Sequence, residues 1–506
     1  MLQEMLLSAE SLITLENFIA MAFGTLAGVV IGALPGLTTT IGLAVLIPLT
    51  FGIEPLVALG LMAGIYNGSM YGGAIPAILL NIPGTPAAIA TTFDGYPMAQ
   101  SGKAALALRT ACYSSALGGL VSAVALLLLA PPLAQVTLAF GPSEYFWVAV
   151  FGLASISVLL GDDPVKGLIS ASLGLLIASV GMDTLTGRMR FTFGQLELTD
   201  GINIVVVLVG LFALSRVLRM AEDAVKTGVA KEQLRLSGQT VGPGVLAMLA
   251  PTWLRSALIG IGVGILPGAG GNIAAFLSYN ESKRVAKDRE SFGKGNIKGV
   301  AAAECGNSSD NAASLIPTLT LGVPGNAIAA LIMGGLLVHG LQPGPALFRA
   351  DAQITYGFML QMLITSIMLM ALGGLLATRV FAQVLRVPQV ILAPMIVGLM
   401  TLGLFTVKNS IFDLFVMLGF GLLGYFMDRL RFPLAPMILG VILGGMAEQS
   451  LRTALQISRG DWSYLLSNTI SQIIAALIVF VLAAPLWRWL RGRRTAPDEE
   501  GANAGS

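Results

Sequence analysis

The chain has 506 residues, of which 55% are hydrophobic and only 11% are charged, whereas about 25% of the residues in an ordinary soluble protein are charged. With a mean hydropathy of +0.82, a soluble domain of this size would expose a large apolar surface to water. The net charge of +2 gives no support for a nucleic-acid partner. Composition therefore excludes a soluble enzyme, a nucleic-acid-binding protein and a disordered scaffold as starting classes. The 61 glycines and 24 prolines indicate closely packed or broken membrane helices.

The N-terminal segment carries Glu4, Glu10 and Glu16 but no basic residue, which is the wrong charge for the start of a cleaved signal peptide. We therefore expect the chain to be inserted by its own spans. A spanning helix needs about 20 largely apolar residues, and we predict about twelve crossings plus several re-entrant or broken segments. The apolar runs are 15–34, 37–53, 55–66, 104–130, 143–161, 165–182, 201–220, 244–266, 300–322, 326–341, 354–378, 386–406, 410–428, 432–447 and 464–490.

Three basic segments indicate the cytoplasmic face of the protein. They are the loops 216–235 and 281–298 and the tail that begins near Arg488, and short basic segments next to spans stay in the cytoplasm. A patch for nucleic acid or another anionic partner is the alternative interpretation. The predicted organisation is a first transmembrane repeat at 1–215, a cytoplasmic basic linker at 216–243, a second transmembrane repeat at 244–490 and a cytoplasmic tail at 491–506.

The chain contains an internal repeat of two modules. GALPGLTTTI at 32–41 matches GILPGAGGNI at 264–273 at five of ten positions, and AIPAILLNIPG at 74–84 matches LIPTLTLGVPG at 315–325. The copies are 232 residues apart in the first module and 241 residues apart at the second Pro-Gly. Two matching modules in the same order, at nearly the same separation, predict a true duplication.

The two copies are expected to be inverted with respect to the membrane. The loop after the second GxLPG segment is the basic loop 281–298, whereas the equivalent loop near 51–55 contains Glu54 and no basic residue. Equivalent loops on opposite sides require inverted repeats, which are the architecture of secondary transporters with a substrate site at the repeat interface. The predicted fold class is an all-α integral membrane protein with two inverted repeats and re-entrant or broken helices.

Proline and glycine are expected to interrupt four helices, because proline removes a backbone donor and glycine lets the chain reverse. Unpaired backbone groups at membrane depth are tolerated only where they face protein or a wet cavity, and a new helix N-terminus attracts anions. The predicted breaks are Pro35-Gly36, Pro83-Gly84, Pro267-Gly268 and Pro324-Gly325.

Small polar residues near these breaks can hydrogen-bond a carboxylate without carrying a full charge into the bilayer. The alternative is that glycine, serine and threonine only let helices pack closely. The predicted substrate-binding residues are Thr38, Thr39, Thr40, Asn67, Ser69, Thr85, Asn272, Asn307, Ser308, Asn311 and Asn326.

Ionisable residues inside spans are functional candidates. Asp94, Glu304 and Asp310 are the candidates for coupling to Na⁺ or H⁺, and released carbonyls and hydroxyls at the breaks are further candidate ligands for Na⁺. Asp94 fits a plain Asp-Gly turn at the membrane surface equally well. Arg109 is the candidate buried cation, and His339 fits a structural position at a helix end better than a proton relay.

Sequence motifs of several other classes are missing. The chain has no P-loop for ATP, no HExxH and no paired histidines, and its two cysteines cannot form a disulfide framework. We therefore expect no enzyme activity, no cofactor and no metal site other than possible Na⁺ binding at the breaks. A channel, which would need a continuous polar pore, a membrane-embedded enzyme and a structural subunit of a larger complex are the competing hypotheses.

Four stretches resemble the large membrane subunit of the tripartite tricarboxylate transporters, the TctA family. They are GALPGLTTTIGLAVLIPLTFG, YNGSMYGGAIPAILLNIPGTPAAIATTFDGYPMAQSGKAALAL, GILPGAGGNIAAFLSYNESKR and LIPTLTLGVPGNAIAALIMGGLLVHGLQPGP, and the similarity covers nearly the whole chain. In one departure, the family's usual Pro-Glu-(Ser/Ala)-Ala-Asn-Asn-Ala reads Ala-Glu-Cys-Gly-Asn-Ser-Ser at 303–309. The replacement of the second asparagine by Ser308 bears on substrate identity more than on function.

The resemblance implies a multi-pass permease of the bacterial inner membrane. It also implies two partners, a small four-span membrane subunit and a periplasmic solute-binding protein that delivers citrate or another di- or tricarboxylate. Uptake in such a system is expected to be driven by an ion gradient and not by ATP. The identity of the carboxylate, the choice between Na⁺ and H⁺, the oligomeric state and the side of the N-terminus do not follow from the sequence.

Overall fold

The computed structural model describes residues 2–34, 36–159, 164–183, 186–226, 242–268, 270–376 and 389–492. Pro35, most of the predicted linker and the tail from 493 onward lie outside the described residues. The described chain is almost entirely helical. Its one small sheet is an antiparallel pair of two-residue strands, β1 (Gly181–Met182) and β2 (Met189–Arg190).

The α-helices that precede residue 227 are α1 (Leu2–Leu12), α2 (Leu15–Ala33), α3 (Thr39–Leu46), α4 (Pro55–Gly72), α5 (Ala74–Leu80), α6 (Ile89–Met98), α7 (Ala104–Thr137), α8 (Pro142–Leu159), α9 (Pro164–Ala178), α10 (Ile204–Leu208) and α11 (Ser215–Lys226). Those after it are α12 (Pro243–Ile265), α13 (Gly270–Val285), α14 (Ile297–Ala313), α15 (Leu315–Leu321), α16 (Ala327–Val338), α17 (Leu347–Ala350), α18 (Ala352–Leu376), α19 (Gln389–Lys408), α20 (Ile411–Arg429), α21 (Leu434–Ile457) and α22 (Thr469–Gly492). Two π-helical segments, Ala99–Lys103 and Val209–Leu214, join α6 to α7 and α10 to α11.

Within the described ranges, seven helices are long and apolar enough to cross a membrane. Five shorter apolar helices, among them Thr39–Thr50 and Ala327–Val338, follow or lie between them. Short apolar helices beside spans fit re-entrant or broken segments, since a full crossing needs about 20 residues. The protein is therefore an all-α, multi-pass membrane protein, and the number of about twelve crossings stays a prediction.

The two modules of the internal repeat share a backbone path. Gly36 and Gly268 follow the ends of α2 and α12 with φ angles of +91° and +89°. The short helices α5 and α15 also end alike, in left-handed residues at Asn81 and Gly322. These agreements of backbone angle, the second of them between an asparagine and a glycine, support a duplication.

Glycine brings the helices of each module into direct backbone contact. A Cβ atom at Gly28 on α2 would lie 2.6 Å from the carbonyl oxygen of Ile65 on α4. In the second module, a Cβ at Gly260 on α12 would lie 2.5 Å from the carbonyl oxygen of Gly306 on α14. Real Cβ atoms do not approach a carbonyl so closely, so part of the glycine excess serves helix packing.

The two breaks of each module lie against each other. In the second module the backbone N–H of Gly268 donates to the carbonyl of Gly325 at 2.7 Å. In the first module a Cβ at Gly84 would collide with the carbonyl oxygen of Gly32, immediately before the first break. The tertiary fold thus turns four sequence breaks into two compound breaks, one in each module.

The helices α4 and α14 connect the two modules through polar contacts. The Tyr66 hydroxyl lies 3.2 Å from the Ser314 hydroxyl at the end of α14, and Asn311 Nδ2 donates to Asn67 Oδ1 at 3.0 Å. Asn67 follows Tyr66 along α4, whereas its partner Asn311 precedes Ser314, the partner of Tyr66. These contacts therefore run in antiparallel order.

The helices form three packing groups, the last of which joins α3, α10, α11, α19 and α20 around the π-helical segment 209–214. The helices α2, α4, α12, α13 and α14, which flank the breaks, pack with one another and with α7 and α18, whereas α8, α9, α21 and α22 pack mainly among themselves. In the second group, Gly174 on α9 lies directly against Gly440 on α21. The boundary predicted between 215 and 216 falls inside a continuous helical segment, because α10, the π-helical segment and α11 run from 204 to 226 without interruption.

Candidate functional site

The end of α14 carries a run of buried polar side chains. Glu304, Asn307, Ser308, Asp310 and Asn311 are each at most 2% exposed. Helix α14 is enclosed because it packs against α7, α12 and α13. Polar groups at such depth are expensive unless they are paired, so their partners indicate what the site can do.

Asp310 and Asn326 connect α14 to the second break. Asn326 Nδ2 donates to Asp310 Oδ2 at 2.7 Å and approaches the Tyr66 hydroxyl at 3.1 Å. Asn326 Oδ1 accepts the N–H of Ala329 at 2.8 Å and so caps α16. One asparagine therefore joins the break, a buried carboxylate and a tyrosine of the first module.

Several buried polar atoms near the breaks have no hydrogen-bond partner among the described residues. Native proteins pair nearly all such atoms, so a cluster of unpaired atoms requires an explanation. Five of them lie on one stretch of α14, and the sixth belongs to the residue after the Pro83-Gly84 break. They are both amide atoms of Asn307, Ser308 Oγ, Asp310 Oδ1, Asn311 Oδ1 and Thr85 Oγ1. Such oxygens suit a hard cation, and the amide and hydroxyl groups can donate to a carboxylate.

The first module contributes a hydroxyl chain at the start of α3. Ser69 Oγ donates to Thr39 Oγ1 at 2.8 Å, and Thr39 Oγ1 donates to Met70 Sδ at 3.6 Å. The Met70 methyl carbon lies 3.2 Å from the Cβ position of Gly271 in the first turn of α13. Met70 therefore lies between the first break of one module and that of the other. Thr38 and Thr40 are only half-buried and bond each other at 2.6 Å.

Asn67 and Asn272 occupy different environments from the other predicted site residues. Asn67 Nδ2 donates to groups on α18, namely the carbonyl of Met362 and the hydroxyls of Thr365 and Ser366, at 2.9–3.1 Å. Since its oxygen already accepts from Asn311, the Asn67 amide cross-links three helices. Asn272, in the first turn of α13, is exposed.

Glu304 is buried about 9 Å along α14 from Asp310, at 1.5 Å per residue. Its two carboxylate oxygens accept from the hydroxyls of Thr91 on α6 and Ser115 on α7, the second at 2.8 Å. No Lys or Arg side chain in the described part of the chain forms an ion pair with either carboxylate. Within the described residues, no basic side chain therefore neutralises either carboxylate.

Asp94 is buried inside α6, so the alternative of a surface Asp-Gly turn is wrong. Its Oδ1 accepts the backbone N–H groups of Gly293, Gly295 and Asn296 at 2.7–2.9 Å. Its Oδ2 accepts the Tyr279 hydroxyl at 2.9 Å. Four donors surround this carboxylate, which anchors the basic loop of the second module to a helix of the first.

The anchored loop has its own hydrogen-bonded turn. Asn296 Nδ2 donates to Asp288 Oδ2 at 3.1 Å and to the Ser291 hydroxyl at 2.6 Å. A hydrogen bond from its own backbone amide, followed by one from Ser291, lowers the pKa of Asp288. The turn therefore keeps a negative charge among the basic residues of the loop.

Arg216 was not among the predicted site residues, because its position next to other basic residues assigned it to the linker. The structure shows it at the first break, where its Nε donates to the carbonyl of Gly36 at 2.8 Å. A sequence signal existed, since Arg216 interrupts an apolar run only twelve residues after Ile204. The contact with Gly36, which lies 180 positions away, cannot be deduced from hydrophobic periodicity.

The described residues contain no group of three or more His, Cys, Asp or Glu side chains that could hold a metal ion. A cation bound near the breaks would therefore need neutral oxygens in addition to one carboxylate. Such donors are typical of hard cations and not of thiolate or imidazole metal centres. Apolar helices with buried polar breaks between two related modules are typical of multi-pass membrane transport proteins.

Residues 18–439 match the family described as "Tripartite tricarboxylate transporter TctA family". A 52.8 kDa protein in the TAR-I ttuC' 3' region of Agrobacterium vitis is 36% identical over 489 residues, which cover 96% of this chain and 97% of the relative. A protein in the TAR-II ttuC' 3' region of the same organism is 34% identical over 232 residues, which cover 46% of this chain and 96% of the relative. No solved structure matches the chain. The chain therefore belongs to the TctA family of tripartite tricarboxylate transporters, a family of transporter components and not of enzymes.

Proposed function

We propose that this chain is the translocating subunit of an ion-gradient-driven importer for a di- or tricarboxylate. The observation that carries the proposal is the cluster of unpaired, buried polar atoms at Asn307, Ser308, Asp310 and Asn311, which lies beside the breaks and between the two modules. Packing alone gives no reason to bury these atoms without partners, whereas a polar substrate or ion would pair them.

The substrate would bind between the modules. Thr38, Thr39, Thr40, Ser69 and Thr85 would contribute hydroxyl groups from the first module. The second module would contribute amide and hydroxyl groups from Asn307, Ser308, Asn311 and Asn326. Asn67 would position Asn311. Asn272 would contribute from the exposed start of α13. The first N–H groups of α3 would add donors, since the Thr38 side chain does not cap that helix in the described structure.

The coupling ion would interact with the second module. Asp310 has one oxygen that no described residue pairs, and a Na⁺ bound there would neutralise the buried charge. Protonation of Asp310 or Glu304 would have the same effect for H⁺ coupling. Asp94 is the weakest of the three candidates, because its carboxylate already accepts four hydrogen bonds.

Alternating access would move the helices that flank the breaks relative to the α8, α9, α21 and α22 group. The antiparallel order of the α4–α14 contacts supports inverted modules, and inverted repeats are the usual basis of such movements. A channel would instead require a continuous polar pore, and the paired breaks favour the transporter.

Family membership supports the expected partners, a small four-span membrane subunit and a periplasmic binding protein, in the bacterial inner membrane. The test is uptake of labelled citrate, succinate and malate by cells that produce this chain with such partners from neighbouring genes. We expect saturable accumulation that an ionophore abolishes and that depletion of ATP at a maintained ion gradient does not. Accumulation that needs ATP, or that persists without any ion gradient, would contradict the mechanism.

A further inference from the structure

Arg216 is the first charged residue of the helical segment that runs from 204 to 226. The segment 204–222 is a candidate span, and residues Val205–Leu211 are all buried and carry no charge. Arg219 and Glu222 follow within two turns, so Arg216 lies where the apolar part of the segment ends, about 18 Å along the helix from Ile204. Its contact at the Gly36 break, and not its depth in the membrane, makes Arg216 a functional candidate.

The side chain of Arg216 is only partly paired. Its Nε donates to the Gly36 carbonyl, and its Nη2 lies 2.8 Å from the Cβ position of Gly36. Among the described residues, no Asp or Glu forms an ion pair with it. A guanidinium has five N–H donors in a planar fork, and one carbonyl uses only one of them.

The two modules differ in charge at equivalent places. Asp310 on α14 is the repeat equivalent of the neutral Ser69 on α4. The two positions are 241 residues apart, which is the separation of the two copies of this module. Arg216 is the cation at the Pro35-Gly36 break. At the equivalent Pro267-Gly268 break of the second module, the Gly268 N–H donates to the Gly325 carbonyl instead. A cation therefore contacts the Pro35-Gly36 break, whereas a buried carboxylate contacts Asn326 beside the Pro324-Gly325 break.

We infer that Arg216 binds a carboxylate group of the substrate at the first break, together with donors from the first turn of α3. This inference rests on the proposed function and names the residue that recognises the anionic substrate. A guanidinium binds a carboxylate through two parallel hydrogen bonds, which a carbonyl cannot match. The Gly36 carbonyl holds the side chain in place when no anion is bound. This difference between the breaks assigns one carboxylate group of the substrate to the Gly36 break and the coupling cation to Asp310.

A purely structural role for Arg216 makes a different prediction. An arginine that only caps a helix break could be replaced by glutamine, which still donates to the Gly36 carbonyl, without effect on substrate affinity. The decisive variants are therefore Arg216→Gln, which keeps a donor and loses the charge, and Arg216→Lys, which keeps the charge and loses the planar fork.

The experiment measures the KM for citrate, succinate and malate uptake, and the thermal unfolding of the purified variants with and without each acid. For the best substrate we expect Arg216→Gln to raise KM at least about tenfold and to abolish the ligand-induced increase in Tm. Arg216→Lys should have a smaller effect of the same kind. The matched control is Arg219→Gln, one turn later, whose partner Asp428 lies 2.7 Å away on a partly exposed surface, and its KM should stay at the wild-type value.

An unchanged KM and an unchanged ligand-induced shift in Arg216→Gln would overturn the inference while the wild type still transports. If Arg216→Gln does not fold, Arg216→Lys decides, since wild-type KM in that variant would also contradict recognition by the guanidinium fork. Failure of the wild type to take up any of the three acids would count against the proposed function itself.

Discussion

Asn326 donates to the carboxylate of Asp310 at 2.7 Å, and this hydrogen bond joins the Pro324-Gly325 break to the most polar stretch of α14. The same asparagine caps α16 and approaches Tyr66 of the first module. A change in the charge of Asp310 therefore acts directly on a helix start, on a break and on the contact between the two modules. This connection gives the proposed coupling ion a physical means of altering the substrate site.

We expect Asp310→Asn to uncouple transport from the ion gradient. The variant retains an oxygen that can accept from Asn326 but removes the negative charge that a cation or proton would neutralise. Concentrative uptake should fall at least about tenfold, in line with the loss of a charge-assisted interaction, and any remaining flux should no longer depend on the gradient. Asp288→Asn, in the basic loop, is the control and should transport like the wild type. Gradient-dependent uptake at wild-type rates in Asp310→Asn would remove Asp310 from the mechanism.

Asn307→Ala and Asn67→Ala should separate binding from stability. The Asn307 amide has no partner in the described structure, so its removal should leave the Tm within a few degrees of the wild type and raise KM. The Asn67 amide makes four hydrogen bonds to α14 and α18, so its removal should lower stability by about 1–3 kcal/mol. Thermal unfolding in detergent and uptake kinetics measure the two effects. Unaltered transport in both variants would contradict the proposed site.

Asp94→Asn should release the basic loop. The variant keeps one acceptor but loses the charge that four donors surround, which should destabilise the anchored loop by about 1.5–3 kcal/mol. Brief treatment with trypsin should then cleave faster at Arg289 or Lys294, as followed by mass spectrometry. Tyr279→Phe removes only one of the four donors and should cause a smaller increase. Equal cleavage rates in wild type and Asp94→Asn would show that the carboxylate does not hold the loop.

Close helix contact predicts different outcomes at two glycines of α12. Gly260→Val would place its Cβ 2.5 Å from the carbonyl oxygen of Gly306, whereas no atom of the described structure lies within 4 Å of the Cβ position at Gly262. Both variants introduce the same β-branched residue into one helix, so helix propensity cancels. We expect Gly260→Val to lose at least about 1–3 kcal/mol more than Gly262→Val through forced separation of α12 and α14. Equal Tm values for the two variants would contradict the close packing.

Particular residues show what could be predicted for the candidate site. The pairing of Pro-Gly breaks predicted the ends of α2, α5, α12 and α15, because proline and glycine act locally on the backbone. The burial of Glu304 and Asp310 followed from their position in an apolar run. The partners of Asn67 and Asp94 could not be predicted, since those contacts join residues about 200–300 positions apart.

The amino-acid sequence by itself determined the membrane class, the helical fold and the family, and it predicted the duplication, because hydropathy, helix breakers and repeated motifs are properties of short segments. Only the tertiary structure decided which polar atoms of Asn307 and Asp310 have no partner among the described residues. It also decided that the side chains of Asn67 and Asp94 are hydrogen-bonded and that Arg216 reaches Gly36. Hydrogen bonds and ion pairs depend on distances of a few ångströms between remote segments. Those distances arise only when the helices pack.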